Sequence, residues 1–403
     1  MSGENSCSEV SIIGGIYREN CYWPKWNSFF GSGWRAVRVF RTLGPDTCIS
    51  FFSTGDDEIQ RMMKIYSVSE PLIPQIVPTT SSVGFYYDHP LSQPIIQGLI
   101  GDSINFLAAG KYVIGFGMME ATTQIEGEYV VYDPQSPRKP LSFRDQGGKA
   151  GHLALVMNET EAKILTGESY IFQIRDALFG KEHCECLVVK RGAKGAVVFR
   201  STDDEGVTIP VFKTSHVWPI GSGDVFTTVF AYYWFNGNLP EDSARMASQA
   251  AADYCETASY EEILTKKDNH KPFVPQKKGM VYLAGPFFTL SDKMFVAECR
   301  NILINMGVTV FSPYHDVGEG KADEVAPKDI EALNDCDCVF AIVDGLDSGT
   351  LFEIGYAIAH GKRVVAYVEN ESEGALKMLA GTGCDIEKDF TTAIYKTCWY
   401  AAE

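Results

Sequence analysis

Short apolar runs alternate with longer amphipathic stretches through the first half of the chain. The runs are rich in β-branched and aromatic residues and end in glycine, proline or acidic turns, as in SEVSIIGG, DTCISFFSTGDDE, GEYVVYDPQ, CECLVVKRG and GAVVFR. This composition is typical of buried strands. The stretches SGDVFTTVFAYYWFNG and PEDSARMASQAAADYCETA have the length and pattern of helices. The alternation predicts a mostly parallel sheet covered by helices.

The second half repeats this pattern on a smaller scale. MVYLAG, VTVFSP, DCVFAIVDG and RVVAYVEN are predicted strands, and the segments between them, SDKMFVAECRNILINMG, PKDIEALNDC and GTLFEIGYAIAHG, are predicted helices. We therefore expect a compact doubly wound sheet of the flavodoxin or Rossmann type. Ligands of such sheets bind beyond the carboxyl ends of the strands.

A polar, basic stretch separates the two halves. Residues 266–279, KKDNHKPFVPQKKG, contain two prolines and precede a fresh apolar strand. A chain of 403 residues is also too long for one ordinary core. We predict domains at 1–265 and 280–403, joined by a linker at 266–279.

Charge and composition exclude several classes of function. The net charge is −17, and from Val281 onward 9 Lys and Arg face 20 Asp and Glu. Such a surface argues against nucleic-acid polymers and anionic membranes as partners. The start, MSGENSCSEV, has no basic or apolar signal region, and the most apolar run, VFTTVFAYYWF, is too short to span a bilayer.

The thiols and imidazoles show no metal-binding pattern. The 11 cysteines form no CxxC pair, and the 7 histidines do not cluster with them. We expect reduced thiols, a cytoplasmic location and no structural zinc.

One carboxylate in the second half stands where a charge is costly. Glu353 lies between Phe352 and Ile354 in an apolar helix, DSGTLFEIGYAIAHG, and a charge there costs free energy unless it is paired or used. Asp347 follows the predicted strand DCVFAIVDG and precedes this helix, and Asp329 lies on the predicted helix that leads into that strand. The three acids are therefore expected in one crevice. Taken singly, Asp347 could merely cap the helix and Glu353 could merely complement its dipole.

The segments VYLAGPFF, DIEALNDCDCVFAIVDG and DSGTLFEIGYAIAHGKRVVAY resemble the nucleoside 2-deoxyribosyltransferase family. The resemblance implies that Glu353 is the nucleophile at C1′ of a 2′-deoxyribonucleoside, that Asp347 and Asp329 act around the leaving base, and that Tyr282 orients the nucleophile. No cofactor is implied. The residues expected to contact substrate are Gly285, Phe287, Phe288, Gly349 and Thr350.

Several features of this chemistry stay open at the level of sequence. A second base as acceptor makes the enzyme a transferase, and water makes it a hydrolase. Related nucleoside 5′-monophosphate N-glycosidases share the glutamate and add a phosphate pocket. Thr289 and Ser291 could hold such a phosphate at a helix N-terminus, or could simply cap that helix. The family resemblance also implies a homo-oligomer, because these sites are built between subunits.

The first half contains a glycine-rich turn at the mouth of a helix, Gly221-Ser222-Gly223-Asp224. Glycines there let backbone amides approach a phosphate, and an acid beside them can deprotonate a hydroxyl. Three further segments, YDPQSPR, MNETEAKILTG and VVKRGAKGAVVF, occur in the order that the ribokinase-like (PfkB) kinases have. Residues 8–256 therefore resemble that family.

This second resemblance implies a use of ATP and Mg²⁺. Asp224 would be the catalytic base and Gly221, Ser222 and Gly223 the anion hole. Asn158 and Glu161 would organise Mg²⁺ and phosphate, and Lys194 and Gly195 would lie near the nucleotide.

Two departures weaken the expectation of an ordinary sugar kinase. Trp218-Pro219-Ile220 replaces the Asp-Thr-Thr-like lead of the family, and FFGSGWRAVRVF places Arg38, or nothing obvious, where an asparagine helps to hold sugar hydroxyls. An active kinase for an unusual substrate, a nucleotide-sensing pseudokinase and a structural scaffold are all compatible with this pattern. For the whole chain, one hypothesis is an enzyme that cuts or exchanges N-glycosidic bonds of deoxynucleosides or their monophosphates, fused to a kinase-like partner. Its expected small-molecule partners are nucleosides, nucleotides or sugars. The other hypothesis is a ligand-sensing regulator.

Overall fold

The computed structural model describes residues 9–98, 104–136, 139–265 and 270–403. The chain divides into two compact units. Unit 1 comprises the described residues up to Thr214 and Trp218–Pro272, and unit 2 comprises Ser215–Val217 and Phe273–Glu403. The first four residues of the predicted linker, and the last two of YDPQSPR, lie outside the described residues.

Unit 1 is built from one large and one small sheet with helices. Its strands are β1 (Glu9–Ile13), β2 (Arg18–Cys21), β3 (Trp26–Phe29), β4 (Cys48–Gly55), β5 (Leu72–Pro78), β6 (Gly84–Tyr87), β7 (Ile95–Gln97), β8 (Ile104–Phe116), β9 (Ala121–Asp133), β10 (Lys149–Asn158), β11 (Cys186–Lys190), β12 (Ala196–Phe199), β13 (Val207–Ile209) and β14 (Val211–Lys213). Its helices are α1 (Gly31–Leu43), α2 (Asp57–Ser69), α3 (Glu159–Thr166), α4 (Ile171–Glu182), α5 (Ser222–Phe235) and α6 (Pro240–Thr257). The short strand β15 (Lys271–Phe273) follows at the boundary of the units.

The large sheet of unit 1 has the order β13-β12-β11-β10-β9-β8-β1-β4-β5. Strands from β11 to β5 pair in parallel, and β12 and β13 add an antiparallel edge. Successive residues of β1 point to opposite faces, so that Ile12 packs into one hydrophobic core and Ile13 into another. The sheet is therefore buried on both faces. A four-stranded sheet of order β3-β2-β6-β7 lies beside it in the same unit.

Unit 2 is a doubly wound domain. Its strands are β16 (Met280–Ala284), β17 (Thr309–Phe311), β18 (Cys338–Ile342), β19 (Arg363–Tyr367) and β20 (Asp385–Glu387). Its helices are α7 (Leu290–Asn305), α8 (Ala322–Asp335), α9 (Ser348–Ala359), α10 (Lys377–Gly381) and α11 (Phe390–Ala401). All five strands pair in parallel in the order β17-β16-β18-β19-β20.

That strand order places the reversal of winding between β16 and β18, where ligands of this fold class bind. The fold class predicted from the sequence, a parallel α/β domain followed by a smaller doubly wound one, is confirmed. In the described parts of the chain, no helix combines the length and apolarity needed to cross a bilayer. The cysteines there are free thiols.

Candidate active sites

Helix α9 carries Glu353 to the carboxyl edge of the unit 2 sheet. Asp347 begins the helix, because its Oδ2 accepts hydrogen bonds from the Thr350 amide at 2.8 Å and the Thr350 hydroxyl at 2.9 Å. Ile354 is fully buried in the core, whereas Phe352 is 60% exposed. The first turn of α9 is therefore fixed from within, and Glu353 follows it on a half-buried face.

Tyr282 of β16 holds the Glu353 carboxylate. Its hydroxyl donates to Glu353 Oε1 at 2.6 Å. The tyrosine ring is fully buried and stacks on Phe311 of the neighbouring strand with centroids 5.5 Å apart. Because the donor stands on a central strand, the orientation of the carboxylate is set by the rigid part of the unit.

The surroundings of Glu353, Tyr282 and Asp329 favour the protonated forms of these side chains. Burial raises the pKa of Glu353 to about 7, the charges of Asp329 and Asp347 add to the rise, and the Tyr282 hydrogen bond opposes it. Burial and the Glu353 charge raise the pKa of Tyr282 far above its ordinary value, so the hydroxyl stays a donor. Burial also raises the pKa of Asp329, whose Oδ1 is buried without a hydrogen-bond partner among the described residues. Perturbed groups of this kind, clustered in a crevice, are typical of catalytic sites.

Two details differ from the sequence interpretation. Phe352 is exposed, so the burial of Glu353 comes from the sheet side of α9 and not from both sequence neighbours. Asp347 does cap its helix, which was the simpler alternative, and its charge still acts on Glu353. The structure thus brings Tyr282 into contact with Glu353 and places Asp329 and Asp347 near enough to act on Glu353 electrostatically.

A group of aromatic rings follows β16 and β17 at the carboxyl edge of the same sheet. Phe287 stacks with Phe288 at 5.6 Å and with Tyr314 at 5.7 Å, and Phe288 is 73% exposed. Tyr314 lies on a short π-helical turn, Pro313–Val317, and sequence reasoning missed it because no motif surrounds it. Stacked rings with exposed edges are suited to contact a flat heterocycle.

The two glycines among the predicted substrate contacts allow close packing. A Cβ at Gly285 would lie 3.2 Å from Ile342 of β18, and a Cβ at Gly349 would lie 3.1 Å from Asp347 Oδ2. Gly349 therefore leaves room for the cap of α9. Thr350, also predicted to bind substrate, is buried and bonded to Asp347.

The N-terminus of α7 is occupied by the protein itself. The Thr289 amide donates to Asp292 Oδ2 at 2.9 Å, and the Asp292 amide donates to Thr289 Oγ1 at 3.2 Å. Ser291 Oγ lies 2.9 Å from Thr289 Oγ1. This reciprocal capping box corresponds to the simpler alternative for Thr289 and Ser291.

In unit 1, the predicted catalytic base is enclosed. Gly221 begins α5 with φ +83°, and Asp224 on the first turn is 5% exposed. Asp224 Oδ2 accepts from Arg35 Nη1 at 2.6 Å, and Oδ1 accepts from Gln135 Nε2. In the predicted anion hole, the Ser222 amide donates to the Pro219 carbonyl at 3.0 Å. Both carboxylate oxygens of the predicted base are thus already hydrogen-bonded within the protein.

The arginine beside Asp224 is Arg35, not Arg38. Arg38 pairs with Glu70 at 2.7 Å and lies over the ring of Tyr260 at 5.3 Å, away from Asp224. Arg35 lies one helical turn earlier on α1 and pairs with both Glu19 and Asp224. Sequence reasoning named Arg38, or nothing obvious, for the place of the family's asparagine and did not single out Arg35.

A mostly buried lysine lies next to the glycine-rich turn. Lys190 Nζ pairs with Asp133 Oδ2 at 2.6 Å, and it lies 3.2 Å from Thr227 Oγ1 and 3.5 Å from the Gly223 carbonyl oxygen. Burial lowers the pKa of Lys190, but the charges of Asp133 and Glu161 more than reverse this, so the lysine stays charged. Sequence reasoning quoted the strand of Lys190 without assigning it a role.

Asn158 and Glu161 form a capping box on α3. The Glu161 amide donates to Asn158 Oδ1 at 2.8 Å, and the Asn158 amide donates to Glu161 Oε2 at 2.9 Å. Burial, followed by the charge of Asp133, raises the pKa of Glu161 to about 7. Lys194 and Gly195 lie on the turn after β11, where Gly195 has φ +82°.

Two carboxylates near Lys190 could take part in holding a magnesium nucleotide. Asp133 Oδ1 is a buried carboxylate oxygen without a hydrogen-bond partner among the described residues, and Glu161 and Lys190 lie close enough to interact with it electrostatically. Magnesium is commonly held by one or two carboxylates together with phosphate oxygens. Asp133, Glu161 and Lys190 are the residues that would hold Mg²⁺ and phosphate, and the bound cation would supply charge neutralisation.

Two family models match segments of the chain. Residues 281–389 match the model of the nucleoside 2-deoxyribosyltransferases, and residues 120–265 match the model of the pfkB family carbohydrate kinases. Both predicted resemblances are confirmed, and both matching models describe families of enzymes. The kinase match begins at residue 120, after the segment that contains Arg35.

Solved structures similar to the chain are ribokinase-family kinases. Ribokinase from Thermotoga maritima is 17% identical, with 64% of this chain and 96% of that chain covered and a TM-score of 0.45. Fructokinase from Vibrio cholerae O395, solved with fructose, ADP and calcium, is 15% identical, with 65% and 97% covered and a TM-score of 0.48. The nucleoside kinase of Methanocaldococcus jannaschii is 14% identical, with 64% and 94% covered and a TM-score of 0.47. At such identities and TM-scores the likeness carries no argument about substrates.

Proposed function

We propose that unit 2 breaks the N-glycosidic bond of 2′-deoxyribonucleosides or their 5′-monophosphates, with Glu353 as nucleophile. The observation that supports this most is the 2.6 Å hydrogen bond from Tyr282 to Glu353 at the carboxyl edge of the sheet. It lies inside the segment that matches the nucleoside 2-deoxyribosyltransferase model. The chain as a whole would then act in nucleoside metabolism.

The proposed first step replaces one bond to C1′ by another. Cleavage passes through an oxocarbenium-like state that a carboxylate below the ring can stabilise and then capture. The C1′–N bond breaks, its electron pair leaves with the base, and a Glu353 oxygen bonds to C1′. Tyr282 positions the attacking carboxylate through its hydrogen bond.

The departing base needs a proton. Asp329 is the proposed donor, because burial raises its pKa and its Oδ1 has no competing hydrogen bond among the described residues. The stacked Phe287 and Tyr314 would contact the base. A second base that attacks the glycosyl-enzyme regenerates Glu353 and gives transfer, whereas water gives hydrolysis.

Base release from a panel of deoxynucleosides and their monophosphates tests this proposal. Chromatography should detect free or exchanged base with the wild-type protein, and Glu353→Ala should lose at least about 10³-fold in rate, because the nucleophile is gone. Tyr282→Phe should lose less, roughly 10-fold to 100-fold, because it removes one positioning hydrogen bond. Undiminished base release by Glu353→Ala would contradict the assignment.

For unit 1, a nucleotide-sensing regulator with a kinase-like fold is the second candidate function. The ion pair of Asp224 with Arg35 favours it over an ATP-dependent sugar or nucleoside kinase, because a paired carboxylate is not available as a base. We expect ATP with Mg²⁺ to raise the melting temperature of the full chain. ADP formation that depends on an added acceptor would favour the kinase instead, because a kinase also binds the nucleotide.

We also propose that the chain forms a homo-oligomer through unit 2, which presents exposed Phe288 after β16 and exposed Phe352 next to Glu353 in the sequence. A monomer mass by light scattering would contradict this.

A further inference from the structure

The pocket beside Asp224 is filled by a side chain of the protein itself. Arg35 is 1% exposed, and its Nη2 lies 2.6 Å from Glu19 Oε2. Its Nη1 lies 3.3 Å from Glu19 Oε1 and 2.6 Å from Asp224 Oδ2. The guanidinium carbon lies 4.8 Å from the ring centroid of Phe30. Two carboxylates and an aromatic face are the usual surroundings of a bound guanidinium.

The backbone around this cation is shaped to admit it. A Cβ at Gly221 would lie 2.1 Å from the Arg35 guanidinium carbon, so the guanidinium packs directly on the glycine that begins α5. Glu19 is held in place in turn, because its Oε1 accepts from the Gly31 amide at 2.9 Å. The guanidinium therefore occupies a built site rather than a chance contact.

This arrangement deprives unit 1 of a free general base for phosphoryl transfer to a hydroxyl. A general base must lie within hydrogen-bond distance of the hydroxyl, directly or through one water. Asp224 already accepts from Arg35 on one oxygen and from Gln135 on the other. A substrate hydroxyl that reached Asp224 would have to compete with Gln135 and with a buried guanidinium that also pairs with Glu19.

We propose that the side chain of Arg35 fills the acceptor subsite of unit 1, which is the place beside Asp224 where a substrate hydroxyl would lie. While Arg35 is in place, unit 1 transfers no phosphoryl group to a sugar or nucleoside, and the chemical class that its subsite binds is a guanidinium cation. This inference concerns unit 1 alone and does not depend on the chemistry proposed for unit 2. It goes beyond nucleotide sensing, because the ligand at issue is a guanidinium and not a nucleotide.

Chemical rescue of the full chain tests the proposal. In Arg35→Ala, two buried carboxylates lose their cation, and we expect the melting temperature to fall by roughly 10 °C. Methylguanidinium chloride at low millimolar concentration should restore much of that loss in a saturable way. Sodium chloride at the same ionic strength should not.

Arg38→Ala is the matched control, because it removes an arginine from the same helix that pairs with Glu70 outside the subsite. Neither the wild type nor Arg38→Ala should be stabilised by methylguanidinium. An equal response of Arg35→Ala and Arg38→Ala would overturn the proposal. If Arg35→Ala does not fold, Arg35→Gln, which also leaves the place of the cation free, is compared with Arg38→Ala in the same way.

Acceptor-dependent ADP formation gives a second, independent test. The wild-type chain should form no ADP in response to any of a panel of sugars and nucleosides. Turnover by the wild type that Asp224→Asn abolishes would overturn the proposal, even if ATP binds as a sensor ligand should. If the wild-type chain binds no nucleotide, the regulator function is contradicted. The proposal on Arg35 is then still decided by the rescue experiment.

Discussion

At Glu353, opposing effects act on the pKa of one carboxyl group. A nucleophile must be ionised, yet burial and the charges of Asp329 and Asp347 raise its pKa to about 7. The Tyr282 hydrogen bond opposes this rise and orients the ionised form. The residue is therefore ionised only in part near neutrality.

The rate of base release should rise with pH through the pKa of Glu353. Asp347→Asn removes one nearby negative charge and keeps a residue that caps helices well, so the rising limb should move to lower pH while α9 stays intact. The pH profile of kcat/KM measures this shift. A rising limb that stays at the wild-type pH in Asp347→Asn would mean that another group controls it.

Glu353→Gln should be more stable than the wild type, although it is inactive. The folded pKa of Glu353 lies above its unfolded value of 4.5, so the folded state holds the proton more tightly and loses stability as pH rises from 4.5 to about 7. Glutamine has no such loss, and its carbonyl still accepts from Tyr282. Urea unfolding at pH 8 should show a gain on the order of 1–3 kcal/mol that shrinks at pH 5.

An exposed residue provides the control for that measurement. Glu373→Gln changes the same group at an exposed position in unit 2 and should leave the free energy of unfolding almost unchanged at both pH values. Equal effects of the two substitutions would contradict the buried-carboxyl explanation.

At the scale of elements, the N-terminus of α7 bears on the choice between nucleosides and 5′-monophosphates. Its capping box places the Asp292 carboxylate there, and the Thr289 hydrogen bonds lower the pKa of Asp292, so the group is ionised. An ionised acid at a helix N-terminus repels a phosphate that would otherwise be favoured there.

We therefore expect the wild type to prefer nucleosides over their monophosphates. Asp292→Asn keeps a polar cap without the charge and should raise kcat/KM for monophosphates relative to nucleosides by roughly 3-fold to 10-fold. The ratio of the two kcat/KM values measures this effect. A ratio that does not change would show that any phosphate is bound elsewhere.

Elements with a strong local pattern were predictable from the sequence. The helix at Ser222–Phe235 and the first four strands of unit 2 are largely apolar, and the order of these strands defines the doubly wound class. The fifth strand, Asp385–Glu387, is mostly polar and was not predicted. The small sheet was not predicted, because strands such as Arg18–Cys21 are short and of mixed polarity. They form by pairing with a strand more than sixty residues away, Gly84–Tyr87, which no local pattern reports.

At the scale of the whole molecule, the two sites differ in how far local sequence patterns predict them. Most of the unit 2 site lies within motifs quoted from the sequence, so Glu353 and Tyr282 could be predicted together. The unit 1 site depends on a contact between Arg35 and Asp224 across 189 positions of the chain. Only the folded structure distinguishes Arg35 from Arg38, which lies one turn away on the same helix.

The glycosyl-enzyme is the species that the account of unit 2 requires. The full chain should be incubated with a 2′-deoxyribonucleoside in the absence of acceptor base, quenched in acid and analysed by intact and peptide mass spectrometry. We expect a deoxyribosyl adduct on the peptide that contains Glu353 in the wild type, and none in Glu353→Gln. Base release without an adduct, at a rate that Glu353→Gln shares, would contradict the account.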